Sequence, residues 1–492
     1  MGTNGSALRK RPLLWLTCAA LILAALSLLA PSTPTYDPWA WIAWGREITQ
    51  FDLDTRTGPS WKPFPVLFTT PFAFAGDAAP ELWLVIARAG ALLAVAFAYR
   101  LAARLGGALA GVLAAVGLVL SSGWVRNAWV GNSEALLVAL LLLAIERHLE
   151  GRRDQALALG FGAALLRPEV WPFLGLYGLW LWFSDPGLRR WLAAGALAVP
   201  ALWFGPELWG SGDPLRASSR AQEGIAADRP ALAESPALEI VRDGVELLLA
   251  PIAIGFLVAI AIAAAFLVRV RRPDSPGRLL VAGVAQSRVS IARGDAICVL
   301  ALAAGALAWL ALVAVMTEAG YAGNQRYLVP AGAIACVVGG VGLAWLARAA
   351  GAWRGSGLQA AATVAILLAC SPFFYARGRD VVELRRALAY EAHLNGELDD
   401  AIERAGGRAR VLACGQPFTG PYQVPVLAWQ LGLHGRQVGF QPRAPAIVFS
   451  ARPTRTQRPA PALPRDGRGL ERVAKTERWR VLAACKPGAG LR

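Results

Sequence analysis

The chain has 492 residues, of which 56% are hydrophobic and 17% charged, and its formal net charge is +16. A composition this apolar excludes a set of soluble domains and predicts a protein that crosses a membrane several times. The charges fall in short clusters between apolar runs and in the C-terminal tail. Because no basic stripe is interleaved with aromatic residues, we expect no nucleic-acid partner.

The first apolar run, 13–30, follows three basic residues, Arg9, Lys10 and Arg11. It is longer than the apolar core of a typical secretory signal, and its last residues lack the small side chain expected at a cleavage site. We therefore interpret it as a retained first membrane span with a cytoplasmic N-terminus.

The first outer loop, 31–79, contains the stretch YDPWAWIAWGREITQFDLDTRTGPSWK, which combines Asp37, Asp52 and Asp54 with four tryptophans. Tryptophan is favoured at membrane interfaces, so we expect this loop to lie against the membrane surface. Asp37 comes where the first span leaves the lipid, a costly place for a carboxylate without a task or partner. The alternative is that Asp37 and Pro38 merely end one helix and start the next, with Asp37 as its cap and Pro38 at the first helical position. The residues alone leave both interpretations open.

Further apolar runs are long enough to cross a bilayer, which takes ~20 residues. They begin near residues 82, 108, 135, 245, 296, 328 and 358. A run at 191–209 also reads as a span, although it contains Pro200 and Pro206. The segment 64–76 is too short to span, which predicts a helix at the interface or a shallow re-entrant turn.

The segment 155–183 is broken at Arg167-Pro168-Glu169 and is either one kinked span or a hairpin of two short helices. A hairpin places five groups of arginines on the cytoplasmic side, as the positive-inside bias predicts. Those groups are Arg100/Arg104, Arg147/Arg152/Arg153, Arg189/Arg190, the 269–293 cluster and Arg348/Arg354. We therefore predict about 11 transmembrane segments, with the N-terminus inside and the C-terminus outside. The hairpin arm 155–166 rises only ~18 Å, so its charged tip should stop within the membrane thickness, beside protein or a water-filled cavity.

The tail predicts a small α/β domain on the outer face, 376–492, after a transmembrane domain, 1–375. We expect helices at 379–404 and 424–433, strands at 410–413, 446–450 and 478–485, and a linker at 452–468. In an oxidising compartment Cys414 and Cys485 could form a disulfide, the alternative being two unpaired thiols.

Polar residues at the outward ends of the predicted helices could meet in one cavity. They are Asp37, Asp52, Asp54, Lys62, Arg126, Asn132, Glu134, Arg167, Glu169, Asn324, Arg326 and Tyr327. Each also has a structural interpretation. Asn132 or Ser133 could cap the next helix, and the helix dipole would favour Glu134 in its first turn. Arg167 and Glu169 could neutralise one another, and Arg326 could be an interface anchor.

Several motifs, in their order along residues 13–347, resemble the GT-C superfamily of polytopic membrane glycosyltransferases. They are Asp37 after the first span, WKPFPVLFTTPFAFAGD, GNSEALLVALLLLA, ALLRPEVWPFL and GNQRYLVPA. The closest group is that of the protein O-mannosyltransferases and aminoarabinose transferases, which also carry an outer C-terminal domain. Lys62 stands where relatives commonly have His, and no adjacent acidic pair follows the first span.

The resemblance implies an inverting transfer of a sugar from a polyprenyl-phosphate donor to an acceptor hydroxyl on the outer face of the cell membrane. In that reaction Asp37 is the general base, and the donor phosphate is bound by Arg326, Tyr327, and Arg167 or Arg126. Residues that could order the sugar or acceptor are Glu134, Glu169, Lys62, Trp61, Asn324 and, more weakly, Asp52 and Asp54. No cofactor is certain, although a divalent cation (Mg or Mn) could take part. The acceptor could be a glycan, a lipid or a protein.

Two other classes of protein also fit parts of the pattern. A secondary transporter would have intramembrane charges, but also two matching halves with paired broken helices. The sequence has one clear break and no internal repeat. A non-catalytic membrane scaffold of the same fold stays open because the adjacent carboxylates are missing.

Overall fold

Helices make up most of the structure, a computed structural model that describes residues 12–223, 229–271, 291–463 and 469–486. In chain order the helices are α1 (Pro12–Leu26), α2 (Tyr36–Thr49), α3 (Pro63–Phe72), α4 (Ala79–Val119), α5 (Trp124–Trp129), α6 (Glu134–Leu149), α7 (Arg153–Ala164), α8 (Trp171–Ser184), α9 (Arg189–Ser211), α10 (Arg216–Glu223), α11 (Pro236–Leu247), α12 (Ala250–Arg271), α13 (Arg293–Glu318), α14 (Val329–Arg354), α15 (Ser356–Arg404), α16 (Gly407–Cys414) and α17 (Val424–Leu431). The strands are β1 (Gln416–Thr419), β2 (Ala446–Ala451), β3 (Glu471–Lys475) and β4 (Trp479–Ala484). The predicted class, a helical membrane protein with a small C-terminal α/β unit, is confirmed.

Within the described ranges, seven helical stretches are long and apolar enough to cross a membrane. The chain is therefore a multi-pass membrane protein. This count treats α4 as part of one stretch, although α4 turns back on itself. It therefore does not test the expected 11 segments, which remain a prediction. Its break is at Gly107, where φ is 76°, a conformation that favours glycine. On the returning arm, a Cβ atom at Gly111 would lie 2.8 Å from the ring of Tyr99 on the first arm. The segment 64–76 is α3 followed by a 3-10 turn, and it continues into α4 through a kink at Gly76.

Helix α14 is the centre of the bundle. Of its most apolar stretch, 94% is buried inside the protein, against 11% for α1. Glycines allow neighbouring backbones to approach it closely. A Cβ atom at Gly342 would lie 1.9 Å from the carbonyl oxygen of Gly255 in α12, and one at Gly340 would lie 2.5 Å from that of Ala110 in α4. The residues just before α14 are therefore held at the middle of the bundle.

Helices α7 and α8 form a hairpin rather than one kinked span. Leu157 on the first arm packs with Leu181 on the second, and the arms are joined by a 3-10 turn at Pro168–Val170. Of the arginine groups expected at one membrane face, most of the 269–293 cluster lies outside the described residues. The inside and outside assignment of the termini remains a prediction.

The C-terminal unit, 376–492, contains a sheet with strand order β1-β2-β4-β3. Strands β1 and β2 are parallel, whereas β2–β4 and β3–β4 are antiparallel. The predicted strands at 446–450 and 478–485 and the helix at 424–433 are confirmed. The predicted strand at 410–413 is wrong, because these residues lie in α16 and strand β1 begins only at Gln416. Short apolar runs of this kind do not distinguish strand from helix.

The disulfide between Cys414 and Cys485 is formed, as the sequence suggested. It joins the end of α16 to the segment just after β4. Helix α15 runs without interruption from a membrane-length apolar stretch into the C-terminal unit. The predicted boundary at 375/376 therefore falls inside a helix, and the division into two domains stays a prediction.

Candidate active site

Asp37 forms an ion pair with Arg326. Its side chain lies in the first turn of α2, where the helix dipole favours a carboxylate, and the N-cap residue of this helix is Thr35. Asp37 is only 7% exposed, and its Oδ2 lies 2.7 Å from Nη2 of Arg326. Arg326 comes from the 3-10 turn Gln325–Leu328 that precedes α14. Asp37 therefore has a buried partner, and its expected role as the cap of the next helix is wrong, because Thr35 is the N-cap residue.

Glu134 is the centre of a larger charge cluster. It is the first residue of α6 and is 0% exposed. Its Oε1 accepts a short hydrogen bond from Nη2 of Arg167, whose Nη1 donates to Oε1 of Glu169 at 3.0 Å. The same Glu134 oxygen lies 3.8 Å from Nζ of Lys62 and 3.9 Å from Nε of Arg326. Three cationic side chains thus lie around one carboxylate oxygen. We call the six residues Asp37, Lys62, Glu134, Arg167, Glu169 and Arg326 the charge cluster.

Tyr327 forms an aromatic surface beside the charge cluster. The guanidinium of Arg167 lies 4.1 Å from the centre of its ring, close enough for a cation–π contact. The side-chain amide of Asn324 donates to the Tyr327 hydroxyl at 3.2 Å, and the indole N–H of Trp309 donates to its backbone carbonyl at 2.8 Å. Tyr327 is therefore fixed from two sides.

Lys62 reaches the cluster from the residue before α3. Its Nζ donates to Oγ of Ser133 at 3.0 Å and lies 5.1 Å from the ring of Trp41. Ser133 makes no capping hydrogen bond to α6. Asn132 donates instead to the side chain of Asn127. The capping role considered for these two residues is therefore wrong, since Ser133 is an acceptor for a lysine.

Trp61 has a packing role in the structure. Its ring lies 5.5 Å from that of Trp44, centre to centre. Its indole N–H donates to the carbonyl of Leu202 at 3.0 Å. These contacts hold the segment 31–79 against α9, so a direct contact of Trp61 with sugar or acceptor has no support in this geometry.

Three buried polar atoms of the charge cluster lack a hydrogen-bond partner in the described part of the chain: Oε2 of Glu134, Oε2 of Glu169 and Nε of Arg167. Buried polar groups in folded proteins nearly always have partners, so these atoms are available to a polar ligand. Three carboxylates are balanced by three cations, which leaves no excess negative charge for a divalent cation. Among the described residues, no group of His, Cys, Asp and Glu side chains has the arrangement of a metal site. A magnesium or manganese ion therefore does not fit here.

Three residues expected at this site lie elsewhere, and their placement corrects the expectation. Arg126 is exposed and pairs with Glu391 of α15 at 3.2 Å. Asp52 and Asp54 face the C-terminal unit because the chain turns directly after α2. Asp52 contacts Nε2 of His434 at 3.0 Å.

Asp54 is neutralised by two arginines. Its Oδ2 accepts from Nη2 of Arg56 at 2.8 Å and also contacts Nε of Arg436. Burial alone would raise the pKa of the Asp54 carboxyl, but the hydrogen bonds of Arg56 and the charge of Arg436 hold it below its usual value. Asp54 is therefore too strongly neutralised to serve as a proton acceptor. Its contact with Arg436 joins the loop to the C-terminal unit.

A second buried acid on α2, Glu47, was not anticipated from the sequence. Its Oε2 accepts the backbone N–H of Asp54 at 3.0 Å, and its Oε1 lies 3.1 Å from Nδ1 of His434. Burial raises the pKa of Glu47 to about 7. Beside it, Arg46 donates to the carbonyls of Trp429 and Leu433 at 2.9 and 3.0 Å. The helix that begins with Asp37 is therefore attached at its other end to the C-terminal unit.

Comparison with known proteins gave only structural similarities. No protein-family profile and no curated protein sequence matches the chain. The structure is similar to that of ArnT from Cupriavidus metallidurans bound to undecaprenyl phosphate, with 14% identity, a TM-score of 0.47, and coverage of 98% of this chain and 99% of that chain. It is also similar to ArnT from the same organism in the apo state, with 13% identity, a TM-score of 0.49, and coverage of 96% and 98%.

Proposed function

We propose that the protein transfers a sugar from a polyprenyl-phosphate-linked donor to an acceptor hydroxyl, with inversion, and that the charge cluster is its active site. The observation that carries the proposal is the buried Asp37–Arg326 pair next to Glu134 and Arg167. It combines a carboxylate that can accept a proton with two guanidinium groups that can hold a phosphate.

The arginines suit the donor phosphate. Arg326 and Arg167 converge on Oε1 of Glu134 and are both held by carboxylates before any ligand binds. A guanidinium presents a planar set of donors that matches phosphate oxygens. As the bond to the sugar breaks, the phosphate gains negative charge, and donors fixed in a water-poor site stabilise that transition state more than the ground state.

Asp37 suits the general base. Arg326 occupies its Oδ2, and Oδ1 is the oxygen that we assign to the acceptor hydroxyl. The hydroxyl oxygen attacks the anomeric carbon from the side opposite the phosphate, and the bond between that carbon and the phosphate oxygen breaks. The hydroxyl proton passes to Asp37, and polyprenyl phosphate leaves. Bond formation on the opposite side inverts the anomeric centre.

The remaining residues of the cluster would order the sugar or the acceptor. Glu134 holds the three cations in place, while Oε2 of Glu169 and the ammonium of Lys62 are the groups we assign to sugar or acceptor hydroxyls. Tyr327 and Asn324 would line the phosphate end. The acceptor class, whether glycan, lipid or protein, is left open by this chemistry.

We place the site at the outer face of the cell membrane, with the N-terminus in the cytoplasm and the C-terminal unit outside. The Cys414–Cys485 disulfide supports this orientation, since such bonds persist in oxidising compartments. The C-terminal unit is attached to α2, so both would lie on the same side.

The test uses membranes containing the full chain and radiolabelled polyprenyl-phosphate sugars, offered one at a time. Asp37→Asn should lower the rate of transfer by about 100-fold or more, the usual contribution of a general base. Asp52→Asn is the matched control, because Asp52 lies in the same loop but contacts His434, and it should keep wild-type activity. Full activity in Asp37→Asn would refute this mechanism. Absence of transfer by the wild-type chain with every donor would favour a non-catalytic scaffold.

A further inference from the structure

We propose that the groove between α7, α8 and α9 binds an anionic phospholipid, with the acyl chains in the groove and the headgroup phosphate on a rim of arginines near the α8–α9 connection. This site is separate from the charge cluster and has no part in the proposed transfer.

The groove is apolar and has a volume of about 450 Å³. Its lining combines small residues, such as Gly175, Gly178 and Ala196, with larger apolar side chains such as that of Leu174. Along α8 it extends from Trp171 to Trp182. Eleven residues of helix rise about 16 Å, which is about half of the ~30 Å hydrocarbon core of a bilayer. The groove therefore matches the depth of one leaflet.

Its two ends differ. At the end near the hairpin tip, the indole N–H groups of Trp171 and Trp203 both donate to the carbonyl of Ala164, at 3.1 and 3.0 Å. Towards the other end, Arg189 lies 5.5 Å from the ring of Trp182, which lines the groove. Two similar contacts adjoin lining residues in the sequence: Arg153 over Trp180 at 4.9 Å, next to Leu179, and Arg190 over Trp191 at 5.6 Å, next to Leu192. Arg189 also donates from Nε to the carbonyl of Trp182 at 2.9 Å.

The arginines of this rim carry uncompensated charge. In the part of the chain that the structure describes, none of them has a carboxylate within ion-pair distance, although Asp154 and Asp185 are close in sequence. Nearby Arg147, by contrast, lies 2.8 Å from Glu150. Arginines on an aromatic belt beside an acyl-chain groove are the features that recognise an anionic headgroup at a membrane surface.

The tail of a polyprenyl donor is a weaker explanation of the groove. The donor phosphate is assigned to Arg167 and Arg326, at the opposite end of the α7–α8 hairpin, so an isoprenoid chain would leave the arginine rim without a partner. A phospholipid from the leaflet at the rim end uses both the groove and its charge. In the proposed orientation that is the cytoplasmic leaflet.

The test measures binding of phosphatidylglycerol to the purified full chain by native mass spectrometry, with phosphatidylcholine as the uncharged reference. Phosphatidylglycerol should bind preferentially. The variant Arg189→Gln/Arg190→Gln should bind it about thirtyfold more weakly, the sum expected for two arginines near a membrane surface. The control Arg385→Gln/Arg386→Gln removes an equally exposed adjacent pair from α15 and should bind as the wild type does. Equal binding of the two phospholipids, or unchanged binding by the rim variant, would overturn the proposal.

A second pair of variants tests the groove itself. A Cβ atom at Gly175 or at Gly205 would have nothing within 4 Å, so we expect the protein to fold with a substitution at either position. Gly175→Leu fills the groove and should weaken phosphatidylglycerol binding, whereas Gly205→Leu, on α9 outside the groove, should not. If both variants weakened binding equally, phosphatidylglycerol would bind outside the groove. If polyprenyl phosphate displaced phosphatidylglycerol, the groove would belong to the polyprenyl donor. Either result would overturn the proposal. Because the readout is binding, it is independent of whether the chain transfers a sugar.

Discussion

Arg326 and Asp37 form a short ion pair, 2.7 Å between Nη2 and Oδ2, although one precedes the central helix α14 and the other begins the helix after the first span. Arg326 also lies 3.9 Å from Glu134 through Nε. The pair therefore connects the segment 31–79 with the most buried part of the bundle. If Arg326 binds the donor phosphate, it also sets the distance between phosphate and base.

Replacing Arg326 should affect the chemical step more than the stability of the chain. We expect Arg326→Gln to lower kcat by about 10²–10³-fold, the usual effect of removing a fixed donor at a developing negative charge. Arg326→Lys should retain part of the activity, because it keeps the charge but loses the planar donor set. Steady-state kinetics with the lipid-linked sugar measure both. Arg126→Gln is the control, since Arg126 pairs with Glu391 at the surface; if it reduced kcat as much, Arg326 would have no special role.

Glu134→Gln should destabilise the protein, because it leaves three cations around a neutral side chain. Breaking a buried ion pair by removing one partner costs about 3–5 kcal/mol. The melting temperature of the full chain in detergent should fall clearly, whereas Glu391→Gln, which removes a surface partner, should change it little. The double variant Glu134→Gln/Lys62→Gln should be more stable than Glu134→Gln alone, since Lys62 has no other carboxylate within ion-pair distance among the described residues, whereas Arg167 keeps Glu169 and Arg326 keeps Asp37. Additive losses in the double variant would contradict this coupling.

The sequence predicted the parts of the fold that depend on hydropathy and local chemistry. Apolar runs indicated the long helices, and the break at Pro168 with the arginine pattern favoured the α7–α8 hairpin. Charged residues at helix ends pointed to the cluster of Asp37, Glu134, Arg167 and Arg326. These predictions succeed because each depends on a property of a short stretch.

The predictions that failed depend on how distant segments turn toward one another. Asp52 and Asp54 follow Asp37 in the same loop, and no local signal indicates that they face His434 and Arg436. Serine is a residue type that often caps helices, but the hydroxyl of Ser133 accepts a hydrogen bond from Lys62, which lies in another segment. Tertiary contacts of this kind override local preferences and leave no periodic pattern in the sequence.

Removing the disulfide should destabilise the C-terminal unit. Cys414 and Cys485 are 71 residues apart, and closing a loop of that length stabilises a fold by about 4 kcal/mol in the chain-entropy description. We expect Cys414→Ser to lower the melting temperature of the full chain, and the reductant dithiothreitol to lower that of the wild type. Cys298→Ser changes an unpaired cysteine in α13 and should leave the melting temperature at the wild-type value. A melting temperature unaffected by Cys414→Ser would show that the bond contributes nothing to stability.

Glu47 should make stability depend on pH. Its pKa is raised to about 7 by burial, whereas an unfolded glutamate titrates near its ordinary value of about 4.3. Between these values the folded state binds more protons than the unfolded state, so this group's contribution to stability falls as pH rises from about 4.3 to 7 and is constant above. The loss is at most about 3–4 kcal/mol, from 1.36 kcal/mol per unit.

Glu47→Gln isolates that effect, because a glutamine can still accept the N–H of Asp54 but carries no proton to lose. The backbone N–H of Asp54 and the side chains of His434 and Arg46 favour the ionised form, and their effects are already included in this pKa. The melting temperature of Glu47→Gln minus that of the wild type should therefore increase from pH 5 to pH 8. Asp52→Asn, on the exposed side of His434, should follow the wild-type profile. Parallel profiles for Glu47→Gln and the wild type would mean that Glu47 is ionised in the folded protein over this pH range, and would overturn the prediction.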